Sequence, residues 1–225
     1  LQVAGDGRPI ERLVSAVDAN ETVIRDAVSR DADLLVVHHG LFWGGLRPIT
    51  GRHQRKLRHL FESGLAVYSA HLPLDGHDRF GNAALLARAI AIEPEAPFGT
   101  YKDRSIGWRG SLDSPLSPDD LGARVGEAVG GPVRVLGSGP EEVRTVGVVT
   151  GAGAGFLEDA AAAGLDALIT GEAAHHNFSD AHELGLHLVL AGHYATETFG
   201  VRALGMHLAD RFGLTAEFAD HPSGL

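Results

Sequence analysis

Apolar runs of strand length alternate along the chain with mixed runs of helix length, and this alternation predicts an α/β fold. After Asp33 the apolar run at 34–37 is uninterrupted, which is typical of a strand buried on both faces of a parallel sheet. Asp18 or Asn20 can cap the helix predicted over 21–29. The remaining pattern predicts strands at 13–17, 65–70, 143–149, 166–170 and 186–191, and helices at 52–63, 81–92 and 156–163.

The order of these elements repeats in the second half of the chain. A shift of 133 residues places Asp33 on Asp166, and each half has a third strand followed by a histidine and, four positions later, a carboxylate. These segments are HLPLD at 71–75 and HYATE at 193–197. The repetition predicts an internal duplication into two similar βαβαβα lobes. The predicted division is a first lobe at 1–92, a connecting segment rich in Pro, Gly and Ser at 93–142 with one short helix near Pro118 to Ala128, and a second lobe at 143–225.

Composition and charge exclude several classes of protein. The formal net charge of −10 disfavours non-specific nucleic-acid binding, which depends on Lys and Arg. One basic cluster is either a solvated helix face or a contact to phosphate; it comprises Arg52, Arg55, Lys56 and Arg58. No apolar run approaches the ~20 residues that a membrane span needs, and no signal-peptide pattern is present. We therefore expect a cytoplasmic protein without membrane contact.

Imidazole and carboxylate side chains follow three of the predicted strands. His38 and His39 end the strand that begins after Asp33, and they are either a hydrogen-bonded core pair or metal ligands. Because parallel strands bind ligands at their carboxyl ends, we expect Asp75, His193 and Glu197 to join them between the lobes. The chain has no cysteine, so a metal must use such side chains. Five ligands exceed the needs of one tetrahedral ion and favour two divalent ions of zinc, iron, manganese, cobalt or nickel.

Other polar residues near these strand ends have less certain roles. His71, Glu172, His175 and His176 can each orient a ligand, act as a general acid or base, or lie on the surface. We select His71 and Glu172 as catalytic candidates. His71 is the imidazole left over in a half that already supplies three ligands.

Two further stretches have alternative interpretations. The glycines at 151–155 follow a strand and open a helix, but they lack the lysine of a phosphate-binding loop. They are therefore interpreted as a tight strand-to-helix turn. Phe42 and Trp43 lie in a predicted loop, where aromatic side chains often mark an interface or the wall of a pocket.

A family resemblance rests on four segments, which are LLVVHHGLFWGG, VYSAHLPLDGH, ALITGEAAHH and GHYATE in this order. They resemble the Nif-three-like family of dinuclear metal-centre proteins, whose members are described as GTP cyclohydrolase 1 type 2 homologues. The resemblance covers nearly the whole chain. It implies a two-lobed α/β fold, the same five ligands for two metal ions, and a ring-shaped homohexamer.

The resemblance also implies an activity. It suggests a metal-dependent hydrolase that opens the purine ring of a nucleotide, with His71 or Glu172 moving protons. The alternative is a metal-binding or regulatory scaffold without turnover. The two are distinguished by whether the metal-loaded protein turns over any nucleotide.

Overall fold

The computed structural model describes all 225 residues, which form two compact units. Unit 1 contains Leu1–His71 and Gly200–His221, and unit 2 contains Leu72–Phe199 and Pro222–Leu225. In chain order the elements are β1 (Arg12–Asp18), α1 (Glu21–Ser29), β2 (Leu34–His39), α2 (Gly51–Ser63), β3 (Ala66–Ser69), α3 (Leu72–Asp75), α4 (Asn82–Ala89), β4 (Ala96–Tyr101), β5 (Arg104–Leu116), α5 (Pro118–Val129), β6 (Arg134–Gly137), β7 (Val143–Val148), a 3-10 helix (Gly153–Phe156), α6 (Leu157–Ala162), β8 (Ala167–Thr170), α7 (Asn177–Glu183), β9 (His187–Leu190), α8 (His193–Thr196), α9 (Thr198–Phe212) and β10 (Thr215–Phe218).

Unit 1 is built on a four-stranded sheet in the order β10-β1-β2-β3, and all neighbouring strands are parallel. Residues Leu35–His39 of β2 are buried, as the uninterrupted apolar run predicts. Asn20 caps α1 by accepting a hydrogen bond from the backbone N–H of Val23 at 2.9 Å. The predicted α/β class and the parallel sheet are confirmed.

Unit 2 is built on a six-stranded sheet in the order β4-β5-β7-β8-β9-β6. Its centre, β7-β8-β9, is parallel, while β4, β5 and β6 pair antiparallel. These last three strands lie in the segment 93–142, where the sequence predicts a connection with one short helix. That helix is present as α5, but the sequence-based expectation misses the three strands. In β4 the proline is tolerated because Pro97 lies in an edge strand of the sheet.

The two units also group the chain differently from the predicted lobes at 1–92 and 143–225. Residues 72–92 belong to unit 2 because α4 packs its apolar side into that unit's core through residues such as Leu86 and Ile90. Residues 200–221 belong to unit 1, where β10 pairs with β1. The last helix of the predicted first lobe, α4, thus belongs to unit 2. Most of the last helix of the predicted second lobe, α9, belongs to unit 1.

The internal duplication has a direct structural signature. The carboxylate of Asp33 accepts hydrogen bonds from the backbone N–H groups of Glu11 and Arg12 at 3.0 and 2.9 Å. In unit 2 the carboxylate of Asp166 accepts equivalent bonds from residues 144 and 145 at 2.8 and 2.9 Å. The same shift of 133 residues relates both acceptors and both pairs of donors. Each aspartate thereby ties the start of one strand to the start of its parallel neighbour.

The segment 71–75 does not extend β3, because Pro73 cannot continue a regular strand. Leu72–Asp75 forms the single-turn helix α3. Proline is accepted in the first turn of a helix, where its missing N–H has no partner in the helix. The corresponding segment of unit 2 forms α8.

No helix in the chain combines the length and the apolar character that a membrane span requires.

Candidate metal centre

Two histidines at the carboxyl end of β2 are held in matching orientations. Nδ1 of His38 donates a hydrogen bond to the carbonyl of Ala70 at 3.0 Å, and Nδ1 of His39 donates to the carboxylate of Asp18 at 2.9 Å. Both rings are buried. Because carbonyl and carboxylate oxygens can only accept, each Nδ1 carries the proton and Nε2 is the nitrogen suited to a metal.

His71 follows β3 and completes a cluster of three imidazoles in unit 1. Its ring centroid lies 4.8 Å from that of His38 and 5.2 Å from that of His39. One potential ligand atom of each ring lies within 4.8 Å of the others, which is the spacing of a group that could hold a metal ion. The indole of Trp43 stacks on His39 with centroids 4.2 Å apart and forms one wall of this cluster.

In unit 2 an imidazole lies between two carboxylates. Nε2 of His193 is 3.2 Å from Glu197, and Nδ1 is 3.0 Å from Glu172. The hydrogen bond to Glu197 raises the pKa of His193 to about 9, against the opposing effect of burial and with further help from Glu172. The metal-free ring is thus an imidazolium, and a metal on Nε2 would replace its proton.

Asp75 is a buried carboxylate in α3 that accepts hydrogen bonds from two uncharged side chains. Its Oδ1 accepts a hydrogen bond from the side-chain amide of Asn82 at 2.9 Å, and the hydroxyl of Thr150 lies 3.4 Å away. A buried carboxylate is costly unless it is hydrogen-bonded or binds a cation. Neutral donors orient the group without neutralising its charge, as suits a metal ligand.

Gly151 makes room for the pair of residues from α8. Its φ is +64°, and a Cβ there would overlap Oε1 of Glu197 and lie 3.1 Å from Nε2 of His193. Its N–H donates to the hydroxyl of Thr196 at 3.1 Å. The glycine stretch leads from β7 into a 3-10 turn and α6, as predicted for a tight strand-to-helix turn. Its open backbone leaves space for Glu197.

The structure gives distinct surroundings to the less certain candidates. Glu172 contacts Nδ1 of His193, which favours a role in orienting that ring. His175 and His176 are exposed, and Nε2 of His176 lies 4.0 Å from Asp180. These two histidines therefore have the character of surface residues.

Several residues that shape the clusters are not identified from the sequence as site residues. They share a role in fixing a ligand or leaving it space, and they are Asp18, Asn82, Thr150 and Gly151. Either Asp18 or Asn20 was expected to cap α1. Asn20 does so, and Asp18 binds His39. Histidine nitrogens and carboxylate oxygens without sulfur suit divalent zinc, iron, manganese, cobalt or nickel, so the residues present fit the predicted cofactor class.

Comparison with known proteins identifies the family. The family model for Duf34/NIF3 (NGG1p interacting factor 3) matches residues 1–222. The chain belongs to this family. Among solved structures, a Thermus thermophilus protein is 42% identical with a TM-score of 0.89 over 100% of this chain and 89% of the other. Reduced HcgD from Methanocaldococcus jannaschii is 29% identical with a TM-score of 0.84 over 98% of this chain and 88% of the other.

Curated NIF3 relatives cover the whole chain. A Halobacterium salinarum protein is 46% identical over 100% of this chain and 90% of its own length. A Deinococcus radiodurans protein is 42% identical over 100% of this chain and 85% of its own length. Both are named GTP cyclohydrolase 1 type 2 homolog. The Nif-three-like resemblance of the four segments is therefore confirmed.

Proposed function

We propose that this NIF3 protein is a metal-dependent hydrolase with a dinuclear centre. Its proposed ligands are the five residues expected from the sequence, which are His38, His39, Asp75, His193 and Glu197. The observation that carries the proposal is the matched orientation of His38 and His39, whose Nδ1–H groups are fixed by Ala70 and Asp18. Two histidines with a purely structural role need only hydrogen-bond partners for their rings. Here both rings have their Nδ1–H groups fixed and present an unprotonated Nε2, which is the form that binds a metal.

The chemistry divides between the cofactor and the chain. Two divalent ions, when bound, supply Lewis acidity and an activated water. His71 is the proposed proton carrier, because its ring packs against both His38 and His39 without being required as a ligand. Glu172 accepts from Nδ1 of His193 and would stabilise that ring in a single orientation.

The proposed substrate class is a purine nucleotide. The support is the name of the relatives, GTP cyclohydrolase 1 type 2 homolog, together with the hydrolytic chemistry that two bound ions provide. Water would add at the ring carbon between two nitrogens, the five-membered ring would open, and a second water would release formate. His71 would transfer the proton between water and the departing ring nitrogen.

Formate release tests this function. Protein loaded with zinc, manganese or iron is incubated with GTP, and formate and nucleotide are quantified. We expect turnover by the wild type and a loss of ~10²–10⁴-fold in His71→Ala, with bound metal unchanged. His182→Ala is the matched control, because that imidazole is exposed and its ring contacts the ring of Phe178.

Three outcomes of this experiment contradict parts of the proposal. If His71→Ala loses metal, His71 is a ligand and the assigned set of five is wrong. If His182→Ala loses activity equally, the effect is not specific to the cluster. If wild-type protein with full metal content turns over no nucleotide, the hydrolase function fails and the metal-binding scaffold is the better account.

The proposed assembly is a homohexamer, as the resemblance implies. Each chain has a mass of 23.6 kDa, so the hexamer would have about six times that mass. Exposed aromatic residues that could lie in such interfaces include Phe61, Tyr68 and Phe212. Light scattering that gives the mass of a single chain over a wide range of concentrations would contradict the hexamer.

A further inference from the structure

Unit 1 contains a cavity of about 590 Å³ that opens beside His39. Its walls are the carboxyl ends of β1 and β2, the first turns of α1 and α2, and the loop at 40–47. One residue of the wall is therefore a proposed metal ligand, whereas α1, α2 and the loop at 40–47 have no role in the proposed hydrolytic chemistry.

The acidic groups of this cavity are already engaged. Asp18 accepts the hydrogen bond from His39 at 2.9 Å. Glu21 accepts two bonds from the guanidinium Nε of Arg55 at 3.0 and 3.2 Å. Glu21 is thus paired with a cation, and Asp18 is hydrogen-bonded to His39.

Three further cations on the cavity wall are not balanced in this way. Arg47 and Arg52 form no ion pair with a carboxylate, and Lys56 donates to the backbone carbonyl of Ala19 at 3.1 Å. The pKa of Lys56 is lowered, first by burial and then by the positive charge of Arg52, against the opposing effect of Glu21. The charges of Arg52 and Lys56 repel each other, and an anion bound beside them would relieve that repulsion.

A buried imidazole lies in the same wall. His53 is 8% exposed, and its Nε2 has no hydrogen-bond partner. It lies in the first turn of α2, whose N-cap Thr50 makes no side-chain capping bond. An unpartnered buried polar atom is costly, and the start of a helix attracts negative charge. Both features point to an acceptor of hydrogen bonds that carries negative charge.

Trp43 links the cationic wall to the proposed metal centre. Its indole is 56% exposed, lines the cavity, and stacks on the ring of His39 at an interplanar angle of 22°. A ligand anchored among the cations would therefore have its remaining atoms beside an aromatic surface and next to His39. Aromatic side chains of this kind stack on nucleic-acid bases.

We propose that this cavity is a phosphate-binding subsite, in which Arg52, Lys56 and His53 bind the phosphate groups of a phosphorylated substrate. The substrate's reacting part would then reach the proposed metal centre past Trp43. Identification of the ligand as a substrate rests on the proposed hydrolase function, whereas the anion site itself does not. The basic cluster of α2 thus has a binding role for Arg52 and Lys56, while Arg58 lies outside the cavity.

Calorimetric titration of chelator-treated protein with tripolyphosphate tests the subsite without metal ions. The double variant Arg52→Gln/Lys56→Gln is compared with the control Arg25→Gln/Arg58→Gln. The control removes one exposed cation from α1 and one from α2, and neither of them lines the cavity. We expect binding by the wild type, about 10–100-fold weaker binding by the first double variant, and affinity within about twofold of the wild type for the second. Binding should weaken with added salt.

Results that would overturn the phosphate-binding subsite differ from the result that would contradict the proposed hydrolase function. Absence of binding in the metal-free wild type, or binding that appears only after metal loading, overturns the subsite, because the anion would then sit on the metal ions. Equal losses in the two double variants overturn it too, because they would indicate general attraction by surface charge. Tripolyphosphate binding in a protein that hydrolyses no nucleotide contradicts the proposed function and leaves the subsite intact.

Discussion

The carboxylate of Asp18 accepts a hydrogen bond from Nδ1 of His39 at 2.9 Å, and the two residues are partners in the register of the parallel strands β1 and β2. The strand pairing therefore sets the orientation of the imidazole. A metal bound by His39 would be coordinated through Nε2, with Asp18 increasing the basicity of the ring from the opposite side.

Replacement of Asp18 tests this role. Asp18→Asn keeps the size of the side chain but removes its negative charge, so the ring is oriented less strongly and its nitrogen is a weaker ligand. We expect metal affinity to fall about 10–100-fold while the ions still bind at saturating concentration. Competition with a chromogenic chelator measures the affinity. Asp210→Asn, at an exposed position of α9, is the control, and equal affinity in the two variants would remove Asp18 from the account.

Gly151 provides a test of the space around Glu197. In Gly151→Ala the new Cβ overlaps Oε1 of Glu197 and the backbone must keep a φ of +64°, so we expect a loss of ~1–3 kcal/mol in the free energy of unfolding and weaker metal binding. Gly155→Ala is a matched control, because no atom lies within 4 Å of its new Cβ. Urea denaturation and metal analysis measure the two effects. A Gly151→Ala protein as stable and as metal-rich as Gly155→Ala would show that Glu197 can move without penalty.

The pH dependence of stability has an identified contributor in unit 1. Hydrogen bonds from Arg30 at 2.8 Å lower the pKa of Asp26 below 3.8, against the effect of burial and with further help from His221. Because the folded pKa is depressed, the stabilisation is present above the unfolded value and is lost as pH falls through the folded one. Asp26→Asn should therefore cost about 0.5–1 kcal/mol at pH 7, a modest value because the pair is partly exposed.

Urea titrations at several pH values measure this contribution. The stability difference between wild type and Asp26→Asn should shrink as the pH is lowered below about 4, because the unfolded wild-type chain then binds a proton at Asp26 while the folded carboxylate, with its lowered pKa, is still charged. A difference that stays constant from pH 7 to pH 3 would mean that the hydrogen-bond geometry, not the charge of Asp26, supplies the stability.

Much of the fold could be predicted from the sequence because its central strands are continuous apolar runs. The helix at 21–29 and the parallel strands of both units follow directly from that periodicity. The duplication was visible in Asp33 and Asp166, and the structure supplies its physical reason, since each carboxylate binds the start of a neighbouring strand. Strands β4, β5 and β6 were missed because their proline and glycine content is also typical of loops.

The site was predictable only in its potential ligands. Histidine and carboxylate side chains at strand ends are visible in the sequence, but the groups that orient them depend on which strands lie side by side. Asp18 reaches His39 only because β1 pairs with β2, and Asn82 reaches Asp75 only because α3 turns back toward α4. Spacing along the chain carries no signal for such contacts.

The number of metal ions bound per chain tests the proposed dinuclear centre. Wild type, His38→Ala, Glu197→Gln and the control His182→Ala are loaded with manganese or zinc, desalted and analysed for bound metal, with circular dichroism to verify the fold. We expect two ions per chain in the wild type and in His182→Ala. We expect fewer in His38→Ala and in Glu197→Gln, because each of these two substitutions removes a proposed ligand. Two ions per chain in both ligand variants, with the fold intact, would contradict it.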